Sequence, residues 1–259
     1  MDLRELNARD AQIINRHPWE LARLQVANDL FHQYKPQKIN AVLDLGCGDS
    51  FFISQFYKLN QLNVPHFGVD INFDDTMLQS LNNENPATRF FKSLDDLQAH
   101  YTGTIDVVFL MDVIEHIEFD IDFMKMVCSY PFITKETVFI ITVPAFQSLF
   151  CSHDVFLGHY RRYNNALLRN NLQTANMNVV KVSYFFTLLL LPRLIQKTKE
   201  SLISSKETTG LVEWKGSRSK TNLITKILLL DYFVSKFFSK IGIKLPGLSN
   251  FAICKPSAS

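Results

Sequence analysis

Residues 42–50 of this chain of 259 amino acids read Val42-Leu43-Asp44-Leu45-Gly46-Cys47-Gly48-Asp49-Ser50. The apolar run from Ile39 to Leu45 is typical of a buried strand, and the glycines that follow it predict a tight turn. The mixed apolar and polar residues from Phe51 to Leu59 fit a helix. We therefore expect a strand, a glycine turn and a helix in direct succession.

Similar alternation continues on both sides of this stretch. Further strands are predicted at His66–Ile71, Arg89–Lys92, Ile105–Leu110 and Thr137–Val143, and helices at Pro18–Tyr34, Asp74–Asn82 and Asp120–Tyr130. Strands that alternate with helices at this spacing form right-handed crossovers and a parallel sheet. The predicted fold class is α/β: a Rossmann-like, doubly wound, mostly parallel sheet with an N-terminal helical segment.

The last two strands are predicted at Val179–Tyr184 and Asn250–Lys255, with about 65 residues between them. This helical insertion contains the apolar run Phe185–Pro192 and a second apolar run at Leu223–Ile241. We divide the chain into an N-terminal helical cap at 1–38, a main domain at 39–184 and 249–259, and an insertion at 185–248.

Charge is distributed unevenly along the chain. The total of 27 Lys and Arg against 25 Asp and Glu hides 14 basic and 21 acidic residues in 1–180, followed by 13 basic and 4 acidic residues in 181–259. The small net charge argues against nucleic acid as a partner. The basic, apolar tail indicates binding to a partner of another kind.

Composition also indicates the compartment. Four widely spaced cysteines without zinc-ligand spacing, and an N-terminus without an apolar signal run, predict a cytoplasmic protein with reduced thiols and no metal. The longest apolar stretch, Tyr184–Pro192, is about half of the roughly 20 residues that a membrane-spanning helix needs. We therefore predict no transmembrane segment.

The glycine turn is predicted to hold a ligand, because ligands of doubly wound sheets lie at the carboxyl ends of the strands. Gly46 and Gly48 let the backbone approach the ligand, and Asp70, after the next strand, can accept hydrogen bonds from ribose hydroxyls. A dinucleotide site would need a third glycine where Phe51 stands, and Asp49 would repel a pyrophosphate. These residues favour a cofactor without phosphates.

Together with Gly68-Val69-Asp70, Asp106-Val107-Val108 and Met111-Asp112-Val113-Ile114-Glu115-His116, the glycine turn resembles class I S-adenosylmethionine-dependent methyltransferases over about residues 39–183. The resemblance implies that S-adenosyl-L-methionine is the cofactor. It further implies that Asp44 supports the turn and the methionine amino end, and that Gly46 and Gly48 pass close to the cofactor. The implied contacts of the remaining residues are with the ribose by Asp70, with the adenine by Ile71, Ser93 and Leu94, and with the sulfonium by Met111.

Glu115 and His116 follow the fourth predicted strand. The Asn-Pro-Pro-aromatic sequence that would suggest methylation of an exocyclic amine is absent. The pair resembles the small-molecule O-methyltransferase branch, in which carboxylate and imidazole serve as base or as divalent-metal ligands. We take His116 as a catalytic candidate and Glu115 as a substrate contact, and assign no metal; alternatively, the pair only begins a helix beside the site.

The densest polar cluster is Ser152-His153-Asp154-Val155-Phe156-Leu157-Gly158-His159-Tyr160-Arg161-Arg162-Tyr163. It resembles the H-D-x-x-x-G-H-x-R-R-Y segment of a bacterial methyltransferase group that often opens with His-Pro-Trp-Glu, which here is His17-Pro18-Trp19-Glu20.

The unperturbed pKa of an imidazole lies near neutral pH, so His159 and His153 are candidate bases. The candidate substrate contacts are Asp154, Arg161 and Arg162, with the two arginines forming a fork for a phosphate or carboxylate. Alternatively, Arg162 and Tyr163 only fix the entry into the next helix.

A helical projection of Asn222–Ile241 places the basic residues on one side and the apolar residues on another. The basic residues are Lys226, Lys236 and Lys240, and the apolar ones are Leu223, Leu230, Val234, Phe237 and Ile241. Such a helix can lie on a membrane, so 185–245 is a candidate for peripheral contact with the inner face of the cytoplasmic membrane. The alternative is packing against the sheet or a second subunit, and the oligomeric state stays open.

The predicted function is methyl transfer from S-adenosylmethionine, directed to an oxygen of a small or lipid-linked acceptor such as a glycan or isoprenoid intermediate. The alternative is a non-catalytic cofactor-binding or scaffold protein that uses its apolar basic helices to bind a membrane or a partner.

Overall fold

A sheet of seven strands runs through residues 16–202 and 214–257, the parts of the chain that the computed structural model describes. Its strands are β1 (Val42–Leu45), β2 (His66–Val69), β3 (Thr88–Phe91), β4 (Ile105–Met111), β5 (Ile133–Pro144), β6 (Met177–Phe185) and β7 (Ser249–Pro256). The spatial order is β3-β2-β1-β4-β5-β7-β6. Strands β1 to β5 pair in parallel, and β7 is antiparallel to both of its neighbours. The predicted α/β fold class is confirmed.

The helices lie between these strands. They are α1 (Pro18–Tyr34), α2 (Phe51–Asn60), α3 (Asp75–Glu84), α4 (Leu94–His100), α5 (Asp120–Cys128), α6 (Ser152–Leu157), α7 (Asn165–Thr174), α8 (Leu190–Leu202) and α9 (Arg218–Lys240). Residues 1–15 of the predicted cap and 203–213 of the predicted insertion lie outside the described residues.

Helix α1 begins at a well-formed cap. The ring of His17 accepts a hydrogen bond from the backbone N–H of Trp19, and the Glu20 carboxylate accepts one from the backbone N–H of His17. Pro18 occupies the first turn, where its missing N–H costs nothing. These contacts fix the predicted start of the helix at Pro18.

Two apolar clusters cover the two faces of the sheet. Helices α4, α5 and α7 supply Leu97, Met124 and Leu172 to one cluster. On the other face, α1 and α2 pack with Phe31 and Phe56, whose ring centroids are 4.9 Å apart. The result is a three-layer helix–sheet–helix core in which the carboxyl ends of β1 and β4 meet where the strand order reverses.

Helix α9 of the predicted insertion packs on helix α1 of the predicted cap. Asp29 of α1 accepts hydrogen bonds from the Tyr232 hydroxyl at 2.5 Å and from Nζ of Lys236 at 2.7 Å. Lys236 thus faces α1, whereas Lys226 and Lys240 are exposed. No helix in the described part of the chain is long and apolar enough to cross a bilayer.

Candidate active site

The glycine turn leaves β1 in left-handed backbone conformations. Gly46 has a φ of 77° and Gly48 a φ of 53°. A Cβ atom at residue 46 would lie only 2.6 Å from Cγ2 of Val113, so both backbone conformation and space require glycine there. The turn is therefore held tightly between β1 and the segment that follows β4.

Asp44 lies in β1, two residues before Gly46, with only 1% of its surface exposed. Neither of its carboxylate oxygens has a hydrogen-bond partner in residues 16–202 and 214–257. Burial raises the pKa of Asp44 to about 7, although the charge of Arg23 opposes the rise. A buried carboxylate without donors is costly, which makes this position suited to a ligand that brings a cationic N–H group.

Asp70 closes the turn from the end of β2. Its Oδ2 atom accepts the N–H of Gly48 at 2.9 Å, and its Oδ1 atom accepts both the backbone and the side-chain N–H of Asn72 at 3.0 Å. A carboxylate offers about four acceptor positions, so Asp70 retains acceptor capacity for a ligand hydroxyl. Ile71 beside it is 83% exposed.

Asp49 is part of an ion pair. Nη1 of Arg16 lies 2.6 Å from Oδ2 of Asp49, and the same guanidinium covers the ring of Phe51 at 4.0 Å. This cation offsets the negative charge of Asp49, which was expected from the sequence to repel a pyrophosphate. The absence of a third glycine at residue 51 remains as the argument against a dinucleotide.

The other residues predicted to contact the cofactor also have partners within the fold. The Ser93 hydroxyl caps α4 by accepting the N–H of Asp96 at 3.0 Å, and Leu94 is buried in the core. Met111 ends β4 with its sulfur 3.9 Å from the Thr142 hydroxyl oxygen. Contacts of these three residues with adenine or sulfonium stay predictions.

Asp112, the residue after β4, has a left-handed φ of 59°. Its carboxylate accepts a hydrogen bond from the Thr142 hydroxyl at 2.9 Å and pairs with the Arg23 guanidinium. Non-glycine residues rarely adopt this conformation, and such strain is concentrated at functional sites. The ion pair joins α1 to the end of β4, and no feature of the sequence relates residues 23 and 112.

Glu115, His116 and His159 form a compact cluster beside Asp112. One donor atom from each residue lies within 4.8 Å of the others, and the two imidazole centroids are 4.5 Å apart. Glu115 is fully buried, no other described residue hydrogen-bonds to its oxygens, and burial together with the charge of Asp112 raises its pKa well above the ordinary value. A carboxylate with two imidazoles can bind a divalent cation or transfer a proton.

Asp154 anchors His159, one member of this cluster. Its carboxylate, which is fully buried, accepts hydrogen bonds from Nδ1 of His159 at 2.9 Å, Nε of Arg162 at 2.8 Å and Nη2 of Arg193 at 2.7 Å. Burial alone would raise its pKa, but the bond from His159 and the two guanidinium charges hold the pKa well below its ordinary value. Arg193 comes from α8 in the insertion, a link the sequence did not indicate.

The two arginines of the polar segment bind separate protein groups instead of forming a fork. Nη1 of Arg161 lies 2.9 Å from Asp120, whereas Arg162 pairs with Asp154. The Tyr163 hydroxyl also donates to Asp120, at 2.7 Å. These contacts agree with the alternative in which Arg162 and Tyr163 fix the local chain path.

His153 differs from His159 in its environment. Burial, aided by the charge of Arg193, lowers the pKa of His153 to about 4. His153 is therefore neutral at pH 7 and a weak proton acceptor. The structure brings His159, but not His153, into the cluster with Glu115 and His116.

No family model matches the chain, and no curated protein matches it either. A SAM-dependent methyltransferase from Archaeoglobus fulgidus has a similar structure, with 16% identity, a TM-score of 0.50, and coverage of 90% of this chain and 93% of the other. The plantazolicin methyltransferase BpumL in complex with SAH gives 14% identity, a TM-score of 0.53, and coverage of 93% and 85%.

The same fold also occurs in a protein named for another reaction. The [4+2]-cyclase SpnF gives 11% identity and a TM-score of 0.53, with coverage of 96% of this chain and 85% of the other. Identities this low show a common fold alone.

Proposed function

We propose that this protein binds S-adenosylmethionine at its glycine turn and transfers the methyl group to an oxygen of a small or lipid-linked acceptor. The observation that carries the proposal is the buried carboxylate of Asp44, which has no hydrogen-bond donor among the described residues and lies two residues before Gly46. The ammonium group of the cofactor's methionine end supplies the missing cationic donor.

Further contacts suit the rest of the cofactor. Asp70 keeps acceptor capacity for a ribose hydroxyl, and the exposed Ile71 offers an apolar surface to the adenine ring. Gly46 and Gly48 carry no side chain that would keep the cofactor away from the backbone of the turn. The cofactor supplies an electrophilic methyl group, so the chain mainly has to orient the acceptor and remove its proton.

His159 is the base that the geometry favours. Because its Nδ1 atom donates to Asp154 at 2.9 Å, the Nε2 atom of the neutral ring is left as the acceptor. An acceptor hydroxyl within reach of Nε2 would lose its proton to His159 as the methyl group is transferred. His116, whose ring centroid lies 4.5 Å away, and the buried Glu115 form the adjoining wall.

A lipid-linked acceptor, such as a glycan or isoprenoid intermediate, is favoured by the insertion. Helix α8 is bonded to the site through Arg193 and Asp154, and it exposes Leu191 and Leu194 to solvent. An exposed apolar surface on a helix that is bonded to the polar cluster suits an acceptor that combines a hydroxyl with a hydrocarbon chain.

Methyl transfer can be tested with cofactor carrying a labelled methyl group. We expect the wild-type protein to transfer label to a hydroxyl-bearing fraction of cell extract, in an alkali-stable ether or methylated phenol. Transfer only to amines would contradict the oxygen assignment. Absence of any transfer by a protein that binds the cofactor would favour the scaffold alternative. Repeating the assay with a chelator separates proton acceptance by His159 from cation binding at Glu115, His116 and His159.

A further inference from the structure

Helix α9 presents an apolar face to solvent. Leu228 and Tyr232 on its inner side are buried against the main domain. The outer side carries six large apolar residues that are between 42% and 65% exposed: Leu223, Ile227, Leu230, Phe233, Val234 and Phe237. A row of this length exceeds the scattered apolar residues of an ordinary surface and marks an interaction site.

The exposed charged side chains around this row of apolar residues are all positive. Residues 214–248 contain seven Lys and Arg and a single acidic residue, Asp231. Asp231 is buried and accepts the backbone N–H of Leu188 at 3.2 Å. Lys220, Lys226 and Lys240 are exposed along the helix, so every exposed charge of α9 is positive.

Helix α8 repeats the arrangement on a smaller scale. Leu191, Leu194 and Ile195 are between 46% and 65% exposed, whereas Arg193 on the opposite side is buried in its ion pair with Asp154. Both helices of the insertion therefore bury a polar or aromatic side against the domain and turn an apolar side outward. Through Asp154, this surface is tied to His159.

We propose that the outer face of α9, together with the exposed leucines of α8, docks on an anionic membrane surface. A helix with an apolar face bordered by lysines lies in the interface of a bilayer, where acyl chains take the apolar side chains and anionic headgroups take the cations. A second copy of the same face would bring like charges together across a symmetric interface. The inference does not depend on the proposed cofactor, because docking is measured without it.

The test uses the full-length protein and vesicles of phosphatidylcholine with or without phosphatidylglycerol, separated by flotation. We expect retention on the anionic vesicles at low salt and a loss of retention at high salt. The variant Leu230→Glu/Phe237→Glu should partition at least about tenfold more weakly, because two apolar side chains no longer enter the bilayer. Lys226→Glu/Lys240→Glu should weaken binding to the anionic vesicles alone.

A matched control comes from an exposed helix end outside the insertion. Lys58→Glu/Leu59→Glu changes one exposed lysine and one exposed leucine at the end of α2, and it should retain vesicle binding. Melting temperatures and sedimentation velocity accompany each variant. Failure of the folded wild-type protein to float with anionic vesicles at low salt would overturn the proposal. So would retention of Leu230→Glu/Phe237→Glu equal to wild type, or a wild-type dimer that this variant dissociates.

Discussion

Nδ1 of His159 lies 2.9 Å from Oδ1 of Asp154, and the two side chains are 7% and 0% exposed. The same carboxylate binds Arg162 from its own segment and Arg193 from the insertion. A buried anion bonded to one imidazole and two guanidiniums positions all three groups at once. Asp154 thereby connects the candidate base to the fold and to the surface helices.

Replacement of Asp154 by asparagine should destabilise the protein strongly. The change leaves the buried guanidiniums of Arg162 and Arg193 without their anion, a loss that costs about 3–5 kcal/mol for a broken buried ion pair. Urea unfolding at pH 7 measures this loss of stability.

Because the pKa of Asp154 is held below its ordinary value, the stabilisation is present at neutral pH and is lost as the pH falls below about 4. Asp122→Asn, at an exposed position on α5, should change the free energy of unfolding little. A free energy of unfolding for Asp154→Asn equal to wild type would contradict this structural role.

Substitutions of the two histidines of the polar segment should have different effects on kcat. His159→Gln removes the proton acceptor, so kcat should fall by about 10²–10⁴-fold, the usual contribution of general base catalysis. His153→Gln should lower kcat far less, because burial already makes His153 a poor base at neutral pH. Single-turnover rates with labelled cofactor, measured alongside cofactor affinity, provide the comparison. Equal rate losses in the two variants, with intact folding, would remove His159 as the specific base.

Asp44 should make stability depend on pH. Its pKa rises from 3.8 to about 7 on burial, so the folded protein holds a proton that the unfolded chain has already lost. Between about pH 4 and pH 7 the stability contribution of the protonated group is therefore lost as the pH rises. Asp44→Asn lacks this loss and should be more stable than wild type at pH 8, by up to about 4 kcal/mol, with little difference at pH 4. Thermal melts at both pH values test it; the same melting temperatures for the two proteins at pH 8 would contradict the burial of an unpartnered charge.

Gly46 should not tolerate alanine. The substitution imposes a left-handed φ on a residue with a Cβ atom and places that atom 2.6 Å from Val113. Gly242, with a φ of 86° and nothing within 4 Å of its added Cβ, is the matched control for backbone strain alone, which costs about 1–2 kcal/mol. Gly46→Ala should cost more than Gly242→Ala in unfolding experiments, and Val113→Ala should recover part of the difference. Equal costs would show that Val113 does not confine the turn.

Local sequence signals predicted much of the fold because they act over a few residues. Pro18 and Pro36 delimit α1, which the structure places at Pro18–Tyr34 as expected. Strand β5 begins at Ile133, four residues before the predicted start, because the exposed Lys135 and Glu136 interrupt the apolar run without ending the strand. Helix α3 begins at Asp75, since Asp74 is its cap.

The candidate site depends on contacts between residues that are far apart in the sequence. Local sequence patterns do not predict such contacts. The pair of Arg23 with Asp112 and the pair of Arg193 with Asp154 join residues from separate elements. The sequence singled out Arg161 and Arg162 as a fork because they are adjacent, but successive side chains of an irregular segment need not point the same way. Arg161 pairs with Asp120 and Arg162 pairs with Asp154, so the two guanidiniums bind different carboxylates.

The most direct test of the account is calorimetric titration of the protein with S-adenosylmethionine. We expect wild-type protein to bind one cofactor per chain at pH 8, with affinity that weakens as the pH falls below about 7 because protonation of Asp44 removes the anion. Asp44→Asn should bind at least about tenfold more weakly, as expected for the loss of a buried charge-assisted hydrogen bond, and Asp122→Asn should bind as wild type does. Absence of binding by folded wild-type protein, or equal affinity in Asp44→Asn, would contradict the central claim.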